Sequence, residues 1–413
     1  MESNYRIAGI DVHKKMLAVV VARLVNDELQ FERQKFGTTA EHLRLLQQWL
    51  AQRKVQEVVM ESTAQYWKPV WRELEPYHRL HLAQAQSNRA PRGRKRDFAD
   101  AERLVRRLVA GELILSYVPD PEQRLWRTLT HSKIQMSRDQ GRIVSQLEAV
   151  LEDAHLKLSS FVSDLLGVSA RRILKALAEG ETDPAKLAAL ADRSLRATPA
   201  QLCDALSASA TLGDLHRQIL RQFVERWELL ERHMEEVEQS IASMLLPHQQ
   251  AVARVAEVPG LGVASAHQIL AEIGPQAAAF ASAAQLASWI GVCPGQEESA
   301  GHSSSNRSPK GNRAMRRILN QAANAAVKAQ GSVFHGFYRR LVARIGHNKA
   351  IWAVAHKLCR VVWHILHCGE SYLERGIRLN KKALKQRTNR LVAELKRLGY
   401  TVQLSPLPSE VSA

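Results

Sequence analysis

Four carboxylate side chains stand where the local sequence would gather them at one point. Asp11 ends the first predicted strand, Glu61 ends the fourth, and Asp97 and Asp100 share one face of a predicted helix because they lie three residues apart. Four carboxylates brought together repel one another unless cations neutralise them, and such oxygen ligands favour Mg²⁺ or Mn²⁺. We expect two ions, about 4 Å apart, which would stabilise the entering and leaving oxygens of a phosphoryl transfer.

The signal lies in the arrangement of these acids rather than in any single one. Each acid alone is better interpreted as a solvated surface charge or a helix cap. A strand-end aspartate, a strand-end glutamate and then D-x-x-D on a helix form an order that arises much less often by chance. We therefore predict an acidic catalytic centre within the first hundred residues or so.

A run of cations stands directly before the two helical aspartates. A basic run beside candidate metal ligands suits a polyphosphate substrate, whose affinity should fall steeply as salt rises. A solvated basic loop is the alternative interpretation, and at a net charge of +17 it remains open. The candidate nucleic-acid contacts in this run are Arg92, Arg94, Lys95 and Arg96.

A polar loop from Gln296 to Asn312, rich in serine, contains a second candidate centre. Ser299 is the candidate nucleophile. A serine that attacks a phosphodiester needs a general base or a metal, and the adjacent sequence offers only His302. We therefore expect Ser299 to be activated from elsewhere, such as the acidic centre of another subunit, while a flexible linker is the alternative interpretation. The candidate phosphate contacts around it are Arg307, Lys310 and Arg313.

Composition limits the classes of protein that remain. The chain of 413 residues carries 58 Lys and Arg against 41 Asp and Glu, and its 45% hydrophobic residues allow two or three separate cores. That balance excludes disorder throughout. No apolar run approaches the ~20 residues that span a bilayer, so we expect no membrane partner. Four scattered cysteines without a C-x-x-C pair favour neither disulfides nor a zinc site, which fits a reducing cytoplasm.

The elements that must position these residues divide into an α/β part and an all-α part. Apolar runs in the first 118 residues predict the order β-β-β-α-β-α-β-α, which is that of an RNase H-like fold with an antiparallel first part and a parallel second part. Strand signals stop beyond Pro119. We predict four regions: a catalytic domain over 1–118, a helical coiled-coil or oligomerisation region over 119–250, a C-terminal domain with the serine loop over 251–372, and a basic tail over 373–413.

Three features stand out in the helical part. One predicted helix carries an apolar seam with the 3-4 spacing of a coiled coil, made of Leu220, Phe223, Trp227, Leu230, Met234, Val237, Ile241 and Met244. Packing within its own subunit and packing on a second subunit are both open. The string Val258-Pro-Gly-Leu-Gly262 predicts a helix–hairpin–helix turn that binds phosphate, or an ordinary tight turn. The tail offers candidate nucleic-acid contacts at Lys381, Lys382 and Lys385.

Several motifs resemble those of one family, the bridge-RNA-guided transposases of the "IS one-ten" group of insertion sequences, to which the pilin-gene inverting proteins are related. The resemblance spans most of the chain. In the first half it rests on Gly9-Ile-Asp11-Val-His13-Lys14, Met60-Glu61-Ser-Thr-Ala64 and Gly93-Arg-Lys95-Arg-Asp97-Phe-Ala-Asp100-Ala101. In the second half it rests on Val258-Pro-Gly260-Leu-Gly262, Trp289-Ile-Gly291-Val-Cys-Pro294, Glu298-Ser299-Ala-Gly301, Lys310-Gly311-Asn312 and Arg316-Arg317-Ile-Leu319.

The resemblance implies a specific chemistry. The first domain would be a Holliday-junction-resolvase-like DEDD domain whose four acids bind the metal ions, and Ser299 would form a transient phosphoserine link to DNA. The family builds the two centres from different subunits of a tetramer, so a homodimer or homotetramer is expected. A noncoding guide RNA of the element would specify donor and target DNA, and the active bacterial protein would associate with the nucleoid.

Three other functions compete with this interpretation. A metal-dependent DNA nuclease or Holliday-junction resolvase explains the acids but leaves the serine loop without a role. A noncatalytic nucleic-acid-binding protein explains the charge but not D-x-x-D beside two strand-end acids. A sugar kinase or actin-like ATPase also begins with a Gly-Ile-Asp strand, but here His13 stands where such enzymes place a phosphate-loop glycine.

Overall fold

The computed structural model describes most of the chain. The described residues are 5–25, 28–85, 97–293, 297–299, 302–305, 308, 311–374 and 381–404. Only the backbone is described for residues 24–25, 297–299, 302–305 and 381–387. The chain divides into two compact units, Met1–Pro119 and Asp120–Ala413. No helix among the described residues is both long and apolar enough to cross a membrane.

The first unit has the order of strands and helices that its apolar runs predict. Its elements are β1 (Arg6–Val12), β2 (Met16–Val25), β3 (Glu28–Gly37), α1 (Ala40–Gln52), β4 (Glu57–Glu61), α2 (Trp67–Leu74), β5 (Arg79–Ala83) and α3 (Asp97–Val109). The strand order in the sheet is β3-β2-β1-β4-β5. The first three strands are antiparallel, while β1, β4 and β5 run parallel.

The sheet is covered on both faces, and each face has its own apolar core. One core packs sheet residues such as Ile10 and Met60 against leucines of α1 and α2. The other packs the opposite sheet face, including Ile7 and Val59, against Ala101 and neighbouring residues of α3. Strands that are buried on both faces form continuous apolar runs, so their positions can be predicted from the sequence.

The second unit is mostly helical. Its helices are α4 (Pro121–Asp153), α5 (Val168–Glu179), α6 (Pro184–Ala189), α7 (Pro199–Ala205), α8 (Asp214–Met244), α9 (Gln249–Ala256), α10 (Val263–Ile273), α11 (Ala283–Ile290), α12 (Arg313–Ala326), α13 (Val333–Ile345), α14 (His347–Cys368) and α15 (Lys381–Arg397). Short 3-10 helices lie at Leu158–Ser160, Ser207–Thr211 and Leu246–His248.

The coiled-coil seam of α8 faces α4 of the same chain. The two helices are antiparallel, since His216 lies 3.0 Å from Asp153 at one end and Lys133 lies 2.9 Å from Glu238 further along. Trp227 of the seam is buried. Leu220 and Ile241 are buried as well, and the other five seam residues are half-buried. The seam therefore packs in part within the chain, and a contact with a second subunit through these helices stays a prediction.

The prediction that strands stop beyond Pro119 was wrong at one place. Within the segment predicted as a polar loop, β6 (Glu297–Ser299) and β7 (His302–Ser305) pair as an antiparallel hairpin. The strands have three and four residues and consist of serine, glutamate and histidine. They lack the alternation of apolar and polar residues by which a strand is recognised in a sequence.

The Pro-Gly-Leu-Gly turn joins α9 to α10 and packs closely on α12. Gly260 has φ +87°, and a Cβ atom there would lie 2.3 Å from the carbonyl oxygen of Ala322. Glycine is therefore required at this position by packing as well as by backbone conformation. Gly262, the N-cap of α10, has open space around it. Packing accounts for Gly260, and phosphate binding at the turn stays a prediction.

Candidate active site

The two predicted strand-end acids lie on neighbouring strands and face the same side of the sheet. The last registered pair of the parallel strands β1 and β4 is Ile10 with Met60, so Asp11 and Glu61 come next on each strand. Ile10 and Met60 pack on the α1 and α2 side. Because side chains alternate along a strand, Asp11 and Glu61 are directed to the other face, which α3 covers.

Helix α3 lies unusually close to β1, and the approach depends on Gly9. A Cβ atom at Gly9 would lie 2.3 Å from the carbonyl oxygen of Ala101 and 2.8 Å from Cγ2 of Val105. Backbone cannot give way as a flexible side chain can, so only glycine permits this contact. The contact brings the first turn of α3, which begins at Asp97, over the end of β1.

We expect Gly9→Ala to move α3 away from the sheet and to reduce catalysis with it. Overpacking of a close contact costs about 1–3 kcal/mol, so the variant should unfold at lower temperature. Gly141→Ala is the matched control, because a Cβ atom in the middle of α4 meets nothing within 4 Å and should stabilise the helix slightly. Thermal unfolding and strand cleavage measured on both variants test this; a fully active Gly9→Ala protein would contradict it.

Asp11, His13 and Asp97 form a cluster at the end of β1. Nε2 of His13 lies 3.0 Å from Oδ2 of Asp11 and 3.8 Å from Oδ1 of Asp97. One ligand atom from each of the three residues lies within 4.8 Å of the others. Nζ of Lys35, on β3, lies 3.5 Å from the other carboxylate oxygen of Asp97. The side chain of Asp11 is only 14% exposed, whereas those of His13 and Asp97 are 47% and 37% exposed, so the cluster extends from the sheet edge toward solvent.

The charge of Asp11 is disfavoured by its surroundings. Burial raises the pKa of Asp11, and the nearby charges of Asp100 and Asp97 raise it further. His13 acts in the opposite direction, through its charge and its hydrogen bond, without cancelling the rise. A cation bound between these acids would relieve the same repulsion.

Asp100 takes part in the electrostatics of the cluster, but its carboxylate pairs with its own helix. Nη1 of Arg103, three residues further along α3, lies 2.8 Å from Oδ1 of Asp100. Both helical aspartates lie in the first turn of α3, where the helix dipole favours negative charge. Asp11 and Asp97 thus form the tightest group, Asp100 acts on Asp11 through its charge, and Glu61 ends the neighbouring strand.

Carboxylate and imidazole ligands in this geometry fit a divalent cation. Oxygen-rich sites favour Mg²⁺ and Mn²⁺, and Mn²⁺ accepts an imidazole nitrogen more readily than Mg²⁺ does. His13 is the ligand candidate that our sequence analysis missed. A signal was present in the spacing, because His13 follows Asp11 by two residues, directly after β1 ends at Val12, and residues two apart in an extended chain lie on the same side.

Several predicted contacts fall where the structure says little. Arg92, Arg94, Lys95, Arg96, Arg307 and Lys310 lie outside the described residues, and the side chains of Lys381, Lys382 and Lys385 do too. Ser299 is described by its backbone, which ends β6 and pairs with His302. Arg313 is exposed at the start of α12.

Comparison with known proteins gives two family matches. Residues 8–156 match the model described as "Transposase", DEDD_Tnp_IS110. Residues 252–339 match the model described as "Transposase IS116/IS110/IS902 family". The first match covers nearly all of the sheet, the four acids and the whole of α4. The second covers most of α9, all of α10, α11, the serine hairpin and α12, and the first half of α13.

Two relatives agree with these matches. The chain is 26% identical over 318 residues to a "Probable family 20 transposase" of Pseudomonas aeruginosa, an alignment that covers 75% of this chain and 83% of the relative. It is 31% identical over 128 residues to the "Transposase for insertion sequence element IS1111A" of Coxiella burnetii, which covers 29% of this chain and 34% of that relative.

The chain consists of a mixed α/β unit, with acids at one end of its sheet, and a mostly helical unit. Transposase models match residues in each unit. The chain belongs to the IS110/IS116 family of transposases, and it is a DNA transposase. Transposases act on DNA, and the DEDD domain, with the cluster at Asp11, suggests the use of a divalent metal ion.

Proposed function

We propose that this transposase cuts and exchanges DNA strands of its insertion sequence with two cooperating centres, a metal-binding acidic centre and a covalent serine. The observation that carries the proposal is the cluster of Asp11, His13 and Asp97 beneath the first turn of α3. We infer that the first unit is RNase H-like and resembles Holliday-junction resolvases. The strand order β3-β2-β1-β4-β5, with three antiparallel strands followed by parallel ones, supports that inference.

Asp11, Glu61, Asp97 and Asp100 would hold the metal, which we propose to be two Mg²⁺ or Mn²⁺ ions. When bound, such ions neutralise charge on the scissile phosphate and on the oxygens that enter and leave it. The acids orient the ions from a rigid frame, because two are anchored at strand ends and two on one helix turn. Lys35, whose Nζ lies 3.5 Å from Asp97, places a positive group where a phosphate would approach.

Ser299 is proposed as the nucleophile, following the resemblance of its loop to the family motif. In the step, the serine hydroxyl loses its proton to a base while Oγ forms a bond to the scissile phosphorus. The bond from phosphorus to one DNA oxygen breaks, and that oxygen takes up a proton as a free hydroxyl. A second DNA hydroxyl later attacks the phosphoserine and regenerates the serine. We propose that acids of a different subunit complete this centre, within a homodimer or homotetramer.

Nucleic-acid binding through phosphates is proposed for the basic surface of the second unit. Arg317, on α12, and Arg138, on α4, are close enough for their charges to interact. Burial and the neighbouring charge of Arg138 lower the pKa of Arg317. Two guanidinium groups that repel each other are well suited to share a phosphate. We propose that donor and target DNA and a noncoding guide RNA are the partners, with Arg313 and the basic segments contributing further contacts.

A metal-dependent nuclease of the same fold is the second candidate. It would use the same acids with activated water and would release free DNA ends. The acidic cluster by itself supports both functions, so the two differ in the fate of the cut strand.

The test is to incubate the full chain with labelled flanking DNA of its element, the element's noncoding RNA and Mg²⁺, and to resolve the products under denaturing conditions. We expect DNA covalently attached to protein, and we expect the product to disappear when a chelator removes the metal. Cleavage without attachment would favour the nuclease. Absence of cleavage with either Mg²⁺ or Mn²⁺ would contradict the proposed function.

A further inference from the structure

Glu272, the penultimate residue of α10, is a charged side chain in the interior of the second unit. Its exposed fraction is 1%. A buried carboxylate is costly unless charged groups and hydrogen bonds compensate it, so its partners indicate what the fold gains. These partners come from two other helices that are far away in the sequence.

Both carboxylate oxygens of Glu272 are engaged. Oε1 accepts a hydrogen bond from Nε2 of His131 at 2.6 Å, and Oε2 accepts one from Nδ2 of Asn312 at 2.7 Å. Nε of Arg127 lies 3.5 Å from Oε2 and also donates to the carbonyl of Ala271. Burial acts to raise the pKa of Glu272, but His131, Arg127 and Asn312 outweigh it and hold that pKa below the ordinary value.

Asn312, the N-cap of α12, forms hydrogen bonds with residues of α10 and α11 as well as with its own helix. Its backbone N–H donates to the carbonyl of Trp289 on α11 at 3.3 Å. Its Oδ1 accepts from the backbone N–H of Met315 at 2.9 Å and so caps α12, while its Nδ2 reaches Glu272 on α10. The amide orientation is therefore fixed, because Oδ1 must face α12 and Nδ2 must face the carboxylate.

Asn312 also lies at the C-terminal end of the segment that carries Ser299. The segment leaves the end of α11 and returns at Gly311, where a Cβ atom would lie 2.1 Å from the carbonyl oxygen of Ile290. Asn312 follows directly, and Ser299 lies between these two ends. The C-terminal end of this segment is thus anchored on α11 by Gly311 and Asn312.

We propose that Glu272 is a positioning residue for Ser299. Through Asn312, Glu272 anchors the C-terminal end of the segment that carries Ser299. Through His131 and Arg127 it connects that end to the long helix α4. Glu272 itself does not touch the reacting atoms. The inference rests on the proposed role of Ser299 as nucleophile, and it assigns to this buried network the placement of the serine segment.

Exchange of the hydrogen-bond polarity between the two residues tests the proposal. Glu272→Gln leaves one acceptor oxygen for two donors, so either Asn312 or His131 faces an amide N–H instead, and Asn312→Asp places two carboxylates against each other. We expect each single variant to form the protein–DNA adduct about 100-fold more slowly, the size of effect that small misplacement of a reacting group produces. In the double variant the new glutamine amide donates to the new aspartate, and the rate should recover to within about tenfold of wild type.

Ser209→Ala is the matched control for a merely structural effect. Ser209 is fully buried in the same unit and donates to the carbonyl of Thr182 at 2.6 Å, far along the sequence from the hairpin. The control should lower the unfolding temperature and leave both adduct rate and DNA affinity unchanged. The Glu272 and Asn312 single variants should lose adduct rate while DNA affinity stays within about twofold.

Hydrogen exchange of residues 297–312 separates this inference from the proposed function. We expect faster exchange in that segment in the single variants, slower exchange again in the double variant, and no change in Ser209→Ala. Wild-type adduct rates in the single variants would overturn the proposal. If wild type itself forms no adduct, the proposed function fails, and unchanged exchange in Glu272→Gln would then overturn the positioning role independently.

Discussion

Asp11→Asn is expected to reduce DNA strand cleavage by about a thousandfold or more while the protein stays folded. Asp11 lies deepest in the acidic cluster, and removal of its charge takes away the ligand that joins the strand end to the helix. Loss of several kcal/mol of metal-dependent transition-state stabilisation corresponds to about a thousandfold in rate. The rate of cleavage of labelled flanking DNA under saturating Mg²⁺ is the measurement.

Stability distinguishes a lost ligand from a damaged fold. Because the folded-state pKa of Asp11 is raised, its ionised form opposes folding of the metal-free protein, an effect present above the folded pKa and absent below the unfolded one. Metal-free Asp11→Asn protein should therefore unfold at a temperature no lower than wild type at neutral pH. Added Mn²⁺ should raise the unfolding temperature of wild type more than that of the variant.

Glu112→Gln is the control for this prediction. It removes the same charge from an exposed acid of the first unit, one that pairs with Arg107 outside the cluster. We expect its cleavage rate and its response to Mn²⁺ to match wild type. Cleavage by Asp11→Asn at a wild-type rate would remove Asp11 from the metal site, and an equal loss in Glu112→Gln would indicate a general effect of charge on DNA binding.

The strands and helices of the first unit could largely be predicted from the sequence, because they depend on patterns among residues close together in the chain. Strands of the sheet carry apolar runs such as 16–22. The D-x-x-D spacing places both aspartates on one helix face, and this can be predicted from neighbouring residues alone. Even the placement of Asp11 and Glu61 at the ends of neighbouring strands follows from the rule that neighbouring parallel strands end at the same edge. What was missed there, the contact of His13 with both Asp11 and Asp97, depends on the path of α3 over Gly9.

The second unit shows where the sequence pattern stops being sufficient. The heptad pattern of α8 predicts an apolar stripe, but it does not predict which surface covers that stripe. In the structure α4 packs against it. The Glu272 network joins residues as far apart as His131 and Asn312, and each of them alone reads as an ordinary polar residue. Such networks form only when the tertiary fold brings distant residues together, so they cannot be predicted from periodicity or spacing.

Ser299→Ala is expected to abolish the protein–DNA adduct, with a loss of at least a thousandfold, while DNA binding remains within about twofold of wild type. Removal of the attacking oxygen leaves no group to form the bond to phosphorus, and loss of a nucleophile ranks among the largest single effects in enzymes that use one. Denaturing electrophoresis of labelled DNA after reaction with wild type and variant measures the adduct, and binding is measured separately without metal.

Neighbouring serines make this prediction specific to one residue. Ser303, Ser304 and Ser305 lie on β7, opposite the strand that ends in Ser299, and Ser308 follows them. Alanine at each of these four positions should leave the adduct in place, because only Ser299 ends the first strand of the hairpin beside the turn. Loss of the adduct in one of them, with Ser299→Ala unaffected, would move the nucleophile to that serine. Persistence of the adduct in all five variants would place the covalent link at a residue other than these serines.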